Sequence, residues 1–216
     1  DMFREIDDNS NGYAMPGWEP ERMGEIKELF AKYKDVTAED LWANLKYFLE
    51  QIVPVAEING IKMAIHPDDP PWSIFGLPRL MTSGKNLKRL LELVDSPSNG
   101  LTLCSGSLGA SPENDIPSIV REFSDRIPFT HIRNVKIYEN GDFIETSHRT
   151  CDGSIDIYDV VKAYHEAGFE GYARPDHGRH IWGEKCRPGY GLYDRALGIM
   201  YMWGIWDSLN RQEKRG

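Results

Sequence analysis

Several features are scarce or missing in this sequence of 216 residues, and each absence excludes a class of protein. No apolar stretch approaches the roughly 20 residues of a membrane-spanning helix, and the first residues lack the basic and then apolar layout of a signal peptide. Basic residues number 25 against 34 acidic ones, and they form no stripe of the kind that binds nucleic acid. We therefore expect a soluble, cytoplasmic protein that binds neither nucleic acid nor a membrane.

Cysteine is also rare. The chain has three cysteines, at positions 104, 151 and 186, and an odd number argues against a disulfide framework. This content suits a reducing compartment. A cysteine with a function in this protein is therefore expected to act as a thiol or a thiolate.

The length and the 40% hydrophobic content fit a single domain. Residues 1–36 are rich in Gly, Pro, Asp and Asn and predict a loop-rich approach segment of that domain, while residues 37–216 predict its βα units. Thr37, followed by acidic residues and one apolar face, predicts the start of a long amphipathic helix. Pro54 is expected to kink this helix and Asn59-Gly60 to end it.

After this helix the chain repeats one unit, which consists of a short apolar run, a Gly/Pro-rich loop and an amphipathic helix. This alternation predicts βαβ units and a parallel sheet. The predicted strands are 61–66, 101–104, 129–135 and 171–176, and the predicted helices lie near 85–94, 116–125, 156–168 and 191–208. Residues 136–145 interrupt the third unit, where Asn140-Gly141 predicts a β-hairpin carried on a loop.

Each predicted strand ends at or near a potential metal ligand: His66, Cys104, His131 and Asp176. The carboxyl ends of the strands of a parallel barrel converge on one face, so these side chains are expected to meet. Taken singly, a histidine there is more often a hydrogen-bonded structural residue, and a buried cysteine is more often an apolar filler. The recurrence at four equivalent positions favours a metal site.

The donor set restricts the metal. Two imidazoles, a thiolate and a carboxylate suit a divalent first-row transition ion, whereas calcium and magnesium prefer oxygen ligands only. Ligand type alone does not separate Zn²⁺ from Fe²⁺ or Mn²⁺. The metal therefore stays open at this point.

Polar residues near these ligands suit an anionic, hydroxylated small molecule. Ser105 follows Cys104 in a Gly-rich turn, and its hydroxyl is a candidate donor to a substrate. Arg133 and Arg174 are candidates for binding a substrate carboxylate, with surface ion pairing as the alternative. His148, which follows the hairpin, is a further candidate for substrate binding.

Two residues are candidates for proton transfer. His177 directly follows Asp176 and titrates in the range that general acid and base catalysis uses. Tyr190 lies in a Gly-flanked loop before the last helix, with Tyr193 as its alternative. For each of these two tyrosines, a structural role in the core or at the start of a helix is an equally good interpretation.

These segments resemble a known family. The stretches that carry the resemblance are "MAIHPDDPPWSIFGLPRLM", "LTLCSGSLG", "FTHIRNVK", "CDGSIDIYDVVKAYHEAGFEGYARPDHGR" and "RPGYGLYDRALG". They are similar to the mannonate dehydratases of hexuronate catabolism, which have a xylose-isomerase-like (β/α)₈ TIM barrel. The resemblance runs from about Thr37 to Leu209.

The resemblance implies dehydration of D-mannonate to 2-keto-3-deoxy-D-gluconate in glucuronate catabolism, with Mn²⁺ or Fe²⁺ as cofactor. It implies that the metal ligands are His66, Cys104, His131 and Asp176. It also implies a catalytic role for Asp176. The acid/base pair falls on His177 and Tyr190, with the two roles unassigned. This reaction needs a group that takes the proton beside the carboxylate and a group that protonates the departing 3-hydroxyl.

The chain length limits how much of such a barrel is expected. A (β/α)₈ barrel takes about 250 residues, and the sequence predicts four strands, so we expect the C-terminal half of the barrel. The protein is then expected to be a homo-oligomer or to require the missing N-terminal half. Two alternatives to the dehydratase function are open. One is another metal-dependent sugar isomerase or epimerase of the same barrel type, and the other is a catalytically incomplete metal-binding fragment.

Overall fold

The structure is a computed structural model that describes residues 5–6, 15–16, 30–74, 76–187 and 189–214. Two short strands, β1 (Glu5–Ile6) and β2 (Met15–Pro16), form an antiparallel pair within the segment predicted to be rich in loops. The pattern of the sequence did not predict these strands, because two-residue strands leave no periodicity to detect.

The first long helix, α1, spans Ala38–Ile58 as predicted. Thr37 caps it, since its hydroxyl accepts from the Asp40 backbone N–H at 3.2 Å and the Asp40 carboxylate accepts from the Thr37 N–H at 2.9 Å. Pro54 lies inside the helix, and Gly60 has a φ of +65° directly after the Asn59 cap. The buried side chains, which face the core, are Trp42, Leu49, Val53 and Ala56.

The central sheet has four parallel strands in the order β3-β4-β5-β8, which confirms the predicted parallel arrangement. These strands are β3 (Met63–Ile65), β4 (Asn99–Cys104), β5 (Phe129–Ile132) and β8 (Tyr172–Pro175). In the register, Cys104 pairs with His131, and His131 pairs with Arg174. The carboxyl ends of the strands therefore lie side by side.

The four helices predicted between and after the strands are present, and the structure adds one short α-helix that was not predicted. They are α2 (Gly84–Leu93), the short α3 (Ser105–Gly109), α4 (Ile116–Phe123), α5 (Ile157–Glu166) and α6 (Leu192–Glu213). Side-chain caps at Ser83, Asp115 and Asp156 begin α2, α4 and α5. None of the helices in the described part of the chain combines the length and apolar character that a membrane span requires.

The predicted hairpin is present. It pairs β6 (Val135–Ile137) with β7 (Phe143–Glu145), and Gly141 takes a φ of +86° in the turn. The predicted strand 129–135 is in fact parts of two strands, because β5 ends at Ile132 and β6 of the hairpin begins at Val135. The hairpin therefore begins within three residues of the carboxyl end of β5.

The apolar core fills the space between the central sheet and its helices, whereas both outer strands of the sheet are open. Among the described residues, β3 pairs only with β4, and β8 pairs only with β5. Large apolar side chains are exposed on the neighbouring helices α1 and α6, among them Ile58 at 85% and Leu192 at 65%. This architecture is that of part of a parallel βα barrel.

Candidate metal centre and active site

The ends of the four central strands bring together the four predicted ligands. His66, Cys104, His131 and Asp176 each offer one donor atom, and these atoms all lie within 4.8 Å of one another. The Nε2 of His66 lies 3.2 Å from the Nδ1 of His131, which in turn lies 3.1 Å from Oδ1 of Asp176. The Cys104 thiol donates to Oδ2 of Asp176 at 3.6 Å. The predicted convergence is therefore confirmed.

The environment of the cluster favours charge on Asp176 and His131. Burial alone would raise the pKa of Asp176, but a hydrogen bond from His131 and the charges of His177 and Arg133 outweigh it, so the pKa is lowered. Burial would lower the pKa of His131, but hydrogen bonds to Asp176 and Cys104 outweigh it and raise it. The neighbouring imidazole thus stabilises the carboxylate.

The four donors fit a divalent first-row transition ion. Ligands bonded to one such ion at about 2.0 to 2.3 Å lie no more than about 4.6 Å from each other. The observed limit of 4.8 Å needs only slight side-chain adjustment to meet this condition. The backbone N–H of Ser107 donates to Sγ of Cys104 at 3.4 Å, a contact that helps to hold the sulfur in place.

His177 lies beside this cluster. Its Nε2 is 3.6 Å from Oδ2 of Asp176, and its Nδ1 is 3.0 Å from Oε2 of Glu145 at the end of β7. About a third of its side chain is exposed, at 38%, so the ring is open to a small molecule. The structure therefore places the first candidate for proton transfer next to the candidate ligands.

Arg133 is almost fully buried and paired with two carboxylates. It donates from NH1 to Asp69 and from Nε to Oε2 of Glu145 at 3.0 Å. Burial would lower the pKa of Arg133, but the charges of Glu145 and Asp69 outweigh it and raise it. Gly106 leaves the space that this side chain fills, since a Cβ there would lie 2.4 Å from Cγ of Arg133. The predicted role of Arg133 in substrate binding stays a prediction.

Ser105 is also engaged by Arg133. Its hydroxyl donates to the Arg133 carbonyl at 2.7 Å and accepts from the Arg133 N–H at 2.8 Å. Ser107, in the same short helix, is buried, and its hydroxyl oxygen has no hydrogen-bond partner among the described residues. The hydroxyl of Ser105 therefore has a structural role, since it binds the main chain of Arg133. Its predicted contact with substrate stays a prediction.

Arg174 and the two candidate tyrosines are more accessible. Arg174 donates from NH2 to Oδ1 of Asp176 at 3.2 Å, and 39% of its side chain is exposed. Tyr190 is half exposed and lies next to Gly178 through a single β-bridge, while Arg187 stacks over its ring at 5.3 Å. Tyr193 is equally exposed, and its ring lies 5.8 Å from that of Trp182. The structure keeps both tyrosines as candidates.

His148 is buried. Only 3% of it is exposed, neither ring nitrogen has a hydrogen-bond partner among the described residues, and burial lowers its pKa. It lines a cavity of about 340 Å³ next to the ion pair between Arg179 and Asp194. Its predicted role in substrate binding stays a prediction.

Sequence reasoning did not predict roles for Asp69 and Glu145. Both carboxylates come from segments outside the central strands, namely the loop after β3 and the hairpin. A weak signal was present, because Asp69 belongs to "HPDDPP" and Glu145 ends the strand that the Asn140-Gly141 turn predicts. Nothing in the local pattern connects either residue to Arg133 or His177.

The fold and the cluster define a class of protein, an α/β barrel with a candidate metal centre at the carboxyl ends of its strands. The comparison with known families is more specific. The sequence model of the family described as D-mannonate dehydratase (UxuA) matches residues 1–216, and the chain belongs to this family. The resemblance found in the sequence is thereby confirmed.

Individual relatives agree with this assignment. The chain is 71% identical over 202 residues to "Mannonate dehydratase 1" of Bacillus licheniformis, an alignment that covers 94% of this chain and 55% of the relative. The crystal structure of mannonate dehydratase from Streptococcus suis serotype 2 matches with a TM-score of 0.84 at 41% identity, covering 99% of this chain and 63% of that one. The chain thus spans little more than half the length of the curated relatives that it matches.

A more distant structure supports the fold alone. A fusion protein described as xylose isomerase-like TIM barrel/4-hydroxyphenylpyruvate dioxygenase matches with a TM-score of 0.54 at 16% identity, covering 92% of this chain and 34% of that one. The predicted fold class, part of a xylose-isomerase-like TIM barrel, is confirmed.

Proposed function

We propose that this chain carries the centre for metal-dependent dehydration of D-mannonate to 2-keto-3-deoxy-D-gluconate, a lyase reaction of glucuronate catabolism. The observation that carries the proposal is the cluster of two imidazoles, a thiol and a carboxylate within 4.8 Å, in a member of the D-mannonate dehydratase family. His177 lies directly beside that cluster, where a reacting sugar acid would be bound.

We propose Mn²⁺ or Fe²⁺ as the cofactor, held by His66, Cys104, His131 and Asp176. When bound, such an ion supplies positive charge that stabilises the negative charge developing on the substrate carboxylate as the neighbouring carbon loses its proton. The same donors accept Zn²⁺, so the ligand types alone do not select the native metal.

The side chains of this protein then have to move protons. One group takes the proton from C2 of the sugar acid, and another protonates the 3-hydroxyl as the C3–O bond breaks and water leaves; the resulting enol becomes the 2-keto acid. His177 and Tyr190 are the proposed pair. His177 is the better supported member, because its imidazole lies beside the cluster and is fixed by a hydrogen bond to Glu145.

For the substrate carboxylate we propose Arg174. Its side chain is partly exposed, and its buried Nε has no hydrogen-bond partner among the described residues. A guanidinium with a spare donor can bind a carboxylate through paired hydrogen bonds. Ser105 and Arg133 already make buried contacts, and His148 is buried, so a direct contact from any of them to the substrate would require rearrangement.

We also propose that the active unit contains polypeptide that completes the barrel. The open strands β3 and β8, the exposed apolar side chains on α1 and α6, and the share of the relatives' length that this chain covers support this proposal. An apolar cavity of about 340 Å³ between β8, α5 and α6, lined in part by Phe169, Met202 and Trp206, is a place for such a segment to pack. Alternatively, other copies of this chain would cover the open strands and the exposed apolar side chains in a homo-oligomer.

Assignment to the cytoplasm belongs to the same proposal, because a thiolate ligand needs a reducing compartment. Cys104 has its sulfur within the cluster.

The decisive experiment incubates this chain, joined to the polypeptide that completes the barrel, with D-mannonate and Mn²⁺ and measures formation of a 2-keto-3-deoxy acid. We expect product that disappears with a chelator and returns with Mn²⁺. The same assay on the chain alone shows whether it acts without that polypeptide. D-Xylose and D-tagatose serve as control substrates, since turnover of either would favour the isomerase or epimerase alternative. Bound metal without any turnover would favour the incomplete fragment, and size-exclusion chromatography would then show whether the open sheet edges cause association.

A further inference from the structure

We propose that Glu145 is a positioning residue for His177, and that the hairpin β6–β7 serves to place its carboxylate beside that imidazole. The inference rests on the proposed function in one respect, namely that His177 transfers a proton. The hairpin itself contains none of the candidate metal ligands.

The contact fixes which nitrogen of His177 carries hydrogen. Oε2 of Glu145 lies 3.0 Å from Nδ1 of His177, and an ionised carboxylate can only accept a hydrogen bond. Nδ1 therefore carries the hydrogen, and in the neutral ring Nε2 keeps its lone pair. Nε2 is the nitrogen on the side of the cluster, 3.6 Å from Oδ2 of Asp176. The hydrogen bond thus orients the free nitrogen toward the place where substrate would bind.

Glu145 is itself held in place. Arg133 donates to its Oε2 from Nε at 3.0 Å, and NH2 of Arg133 forms an ion pair with the same oxygen at 3.0 Å. The Arg133 side chain is 5% exposed, and the Arg133 main chain is fixed by the hydroxyl of Ser105. Arg133 lies one residue after the end of β5, the strand that carries His131. The carboxylate is therefore fixed relative to the same strand that supplies a candidate ligand.

The surroundings separate a positioning role from a purely structural one. Arg133 also pairs with Asp69, so loss of Glu145 leaves the buried guanidinium with one carboxylate. His177, by contrast, loses the acceptor of its Nδ1 hydrogen. Ring contact between Trp72 and Phe143, at 5.8 Å, continues to hold the hairpin against the loop after β3. Removal of Glu145 is therefore expected to disturb His177 more than the fold.

The first test reads the His177 ring directly, without any need for turnover. We would record the ¹⁵N resonances of the histidine rings on the alkaline side of the ordinary imidazole range, in metal-free protein and in protein loaded with Zn²⁺. The variants are Glu145→Ala and Glu145→Gln, and Glu139→Ala is the matched control because Glu139 is an exposed glutamate of the same hairpin. His177→Gln identifies the His177 signals.

We expect one tautomer with hydrogen on Nδ1 in the wild type and in Glu139→Ala. Glu145→Gln should keep it, because the amide oxygen can replace Oε2 as acceptor. Glu145→Ala should give a mixture of tautomers or the opposite one. An Nε2–H tautomer in the wild type, or an unchanged spectrum in Glu145→Ala, would overturn the proposal.

The second test measures kinetics and bound metal on the same variants. We expect Glu145→Ala to lower kcat roughly 10- to 100-fold, as loss of an orienting partner does, with KM changed by less than about 3-fold. Glu145→Gln should recover most of kcat, and the Zn²⁺ content should be unchanged in both. Loss of metal together with kcat would instead make Glu145 a support of the cluster.

The two tests also keep the two proposals apart. The dehydration centre would be contradicted if the wild-type chain, joined to the polypeptide that completes the barrel, showed no turnover of D-mannonate with Mn²⁺. The tautomer of His177 would still decide the role of Glu145.

Discussion

The central sheet has an amino edge, where its strands begin, and a carboxyl edge, where its strands end. Each of these two edges contains a largely buried arginine, and the two arginines bind different kinds of partner. At the amino edge, Arg126 donates to the backbone carbonyls of Ser96 at 2.6 Å and Asn99 at 2.8 Å, and it also pairs with the exposed Asp95. At the carboxyl edge, Arg133 pairs with the side chains of Asp69 and Glu145.

This difference shows how one sheet separates stability from chemistry. Arg126 satisfies main-chain acceptors where strands begin, and its side-chain partner Asp95 is exposed and leads to no candidate reactive group. The contacts of Arg133 continue through Glu145 to His177 and from there to Asp176. Polar groups at the amino edge therefore serve the fold, whereas those at the carboxyl edge support side chains that can react.

Substitution of a candidate ligand is expected to have the largest effect. Asp176→Asn should weaken metal binding by more than about 100-fold, beyond the range seen for residues that only support ligands, because it removes a charged donor. Elemental analysis after dialysis against Mn²⁺ measures this. Asp95→Asn is the control at the opposite edge, and equal metal content in the two variants would remove the distinction between the edges.

Loss of the imidazole beside the cluster should have the next largest effect. His177→Ala is expected to lower kcat for D-mannonate by roughly 10²- to 10⁴-fold, the range of general acid–base catalysis, with metal content unchanged. His180→Ala serves as the control because His180 lies in the same segment and bonds to the Arg187 carbonyl instead. Full activity of His177→Ala would reject its role in proton transfer.

The arginine at the amino edge gives the converse prediction. Arg126→Ala should lower the free energy of unfolding by about 1.5 to 3 kcal/mol, because buried carbonyl acceptors lose a charged donor. Urea unfolding measures the loss. Metal affinity should stay within about 2-fold of the wild type, since Arg126 contacts none of the candidate ligands or their partners. A larger change in affinity would show that the two edges are coupled.

The smallest expected effect is a pH dependence that arises at neither edge. Burial lowers the pKa of His148, so the unfolded chain binds a proton there more readily than the folded chain. Stability from this group is present above the ordinary imidazole pKa and is lost as pH falls from that value toward the folded pKa. His148→Leu should flatten the acid side of a plot of unfolding free energy against pH, and an unchanged slope would contradict this assignment.

The candidate ligands were predictable because a parallel sheet makes the ends of its strands equivalent. His66, Cys104, His131 and Asp176 each lie at or next to the carboxyl end of a central strand, so the pairing of the strands itself fixes where they lie. The Asn140-Gly141 turn likewise predicted the hairpin, since that dipeptide tolerates the positive φ that the turn needs.

The residues that the hairpin touches could not be predicted from the sequence. Glu145 reaches His177 across a separation of 32 residues, and no periodicity carries that information. The partners of Arg133 were not predictable either, because this residue lies beyond the end of β5 at Ile132. Contacts between loops depend on tertiary packing, which local sequence patterns do not report.

The central claim is that one cation is held by ligands from four strands, with Cys104 supplying sulfur. Its most direct test is the absorption spectrum of the chain titrated with Co²⁺, which stands in for the native ion. We predict a thiolate-to-cobalt charge-transfer band that saturates at one Co²⁺ per chain, persists in Cys151→Ser and is absent from Cys104→Ser. A spectrum without that band, or one in which the band survives in Cys104→Ser, would contradict the claim.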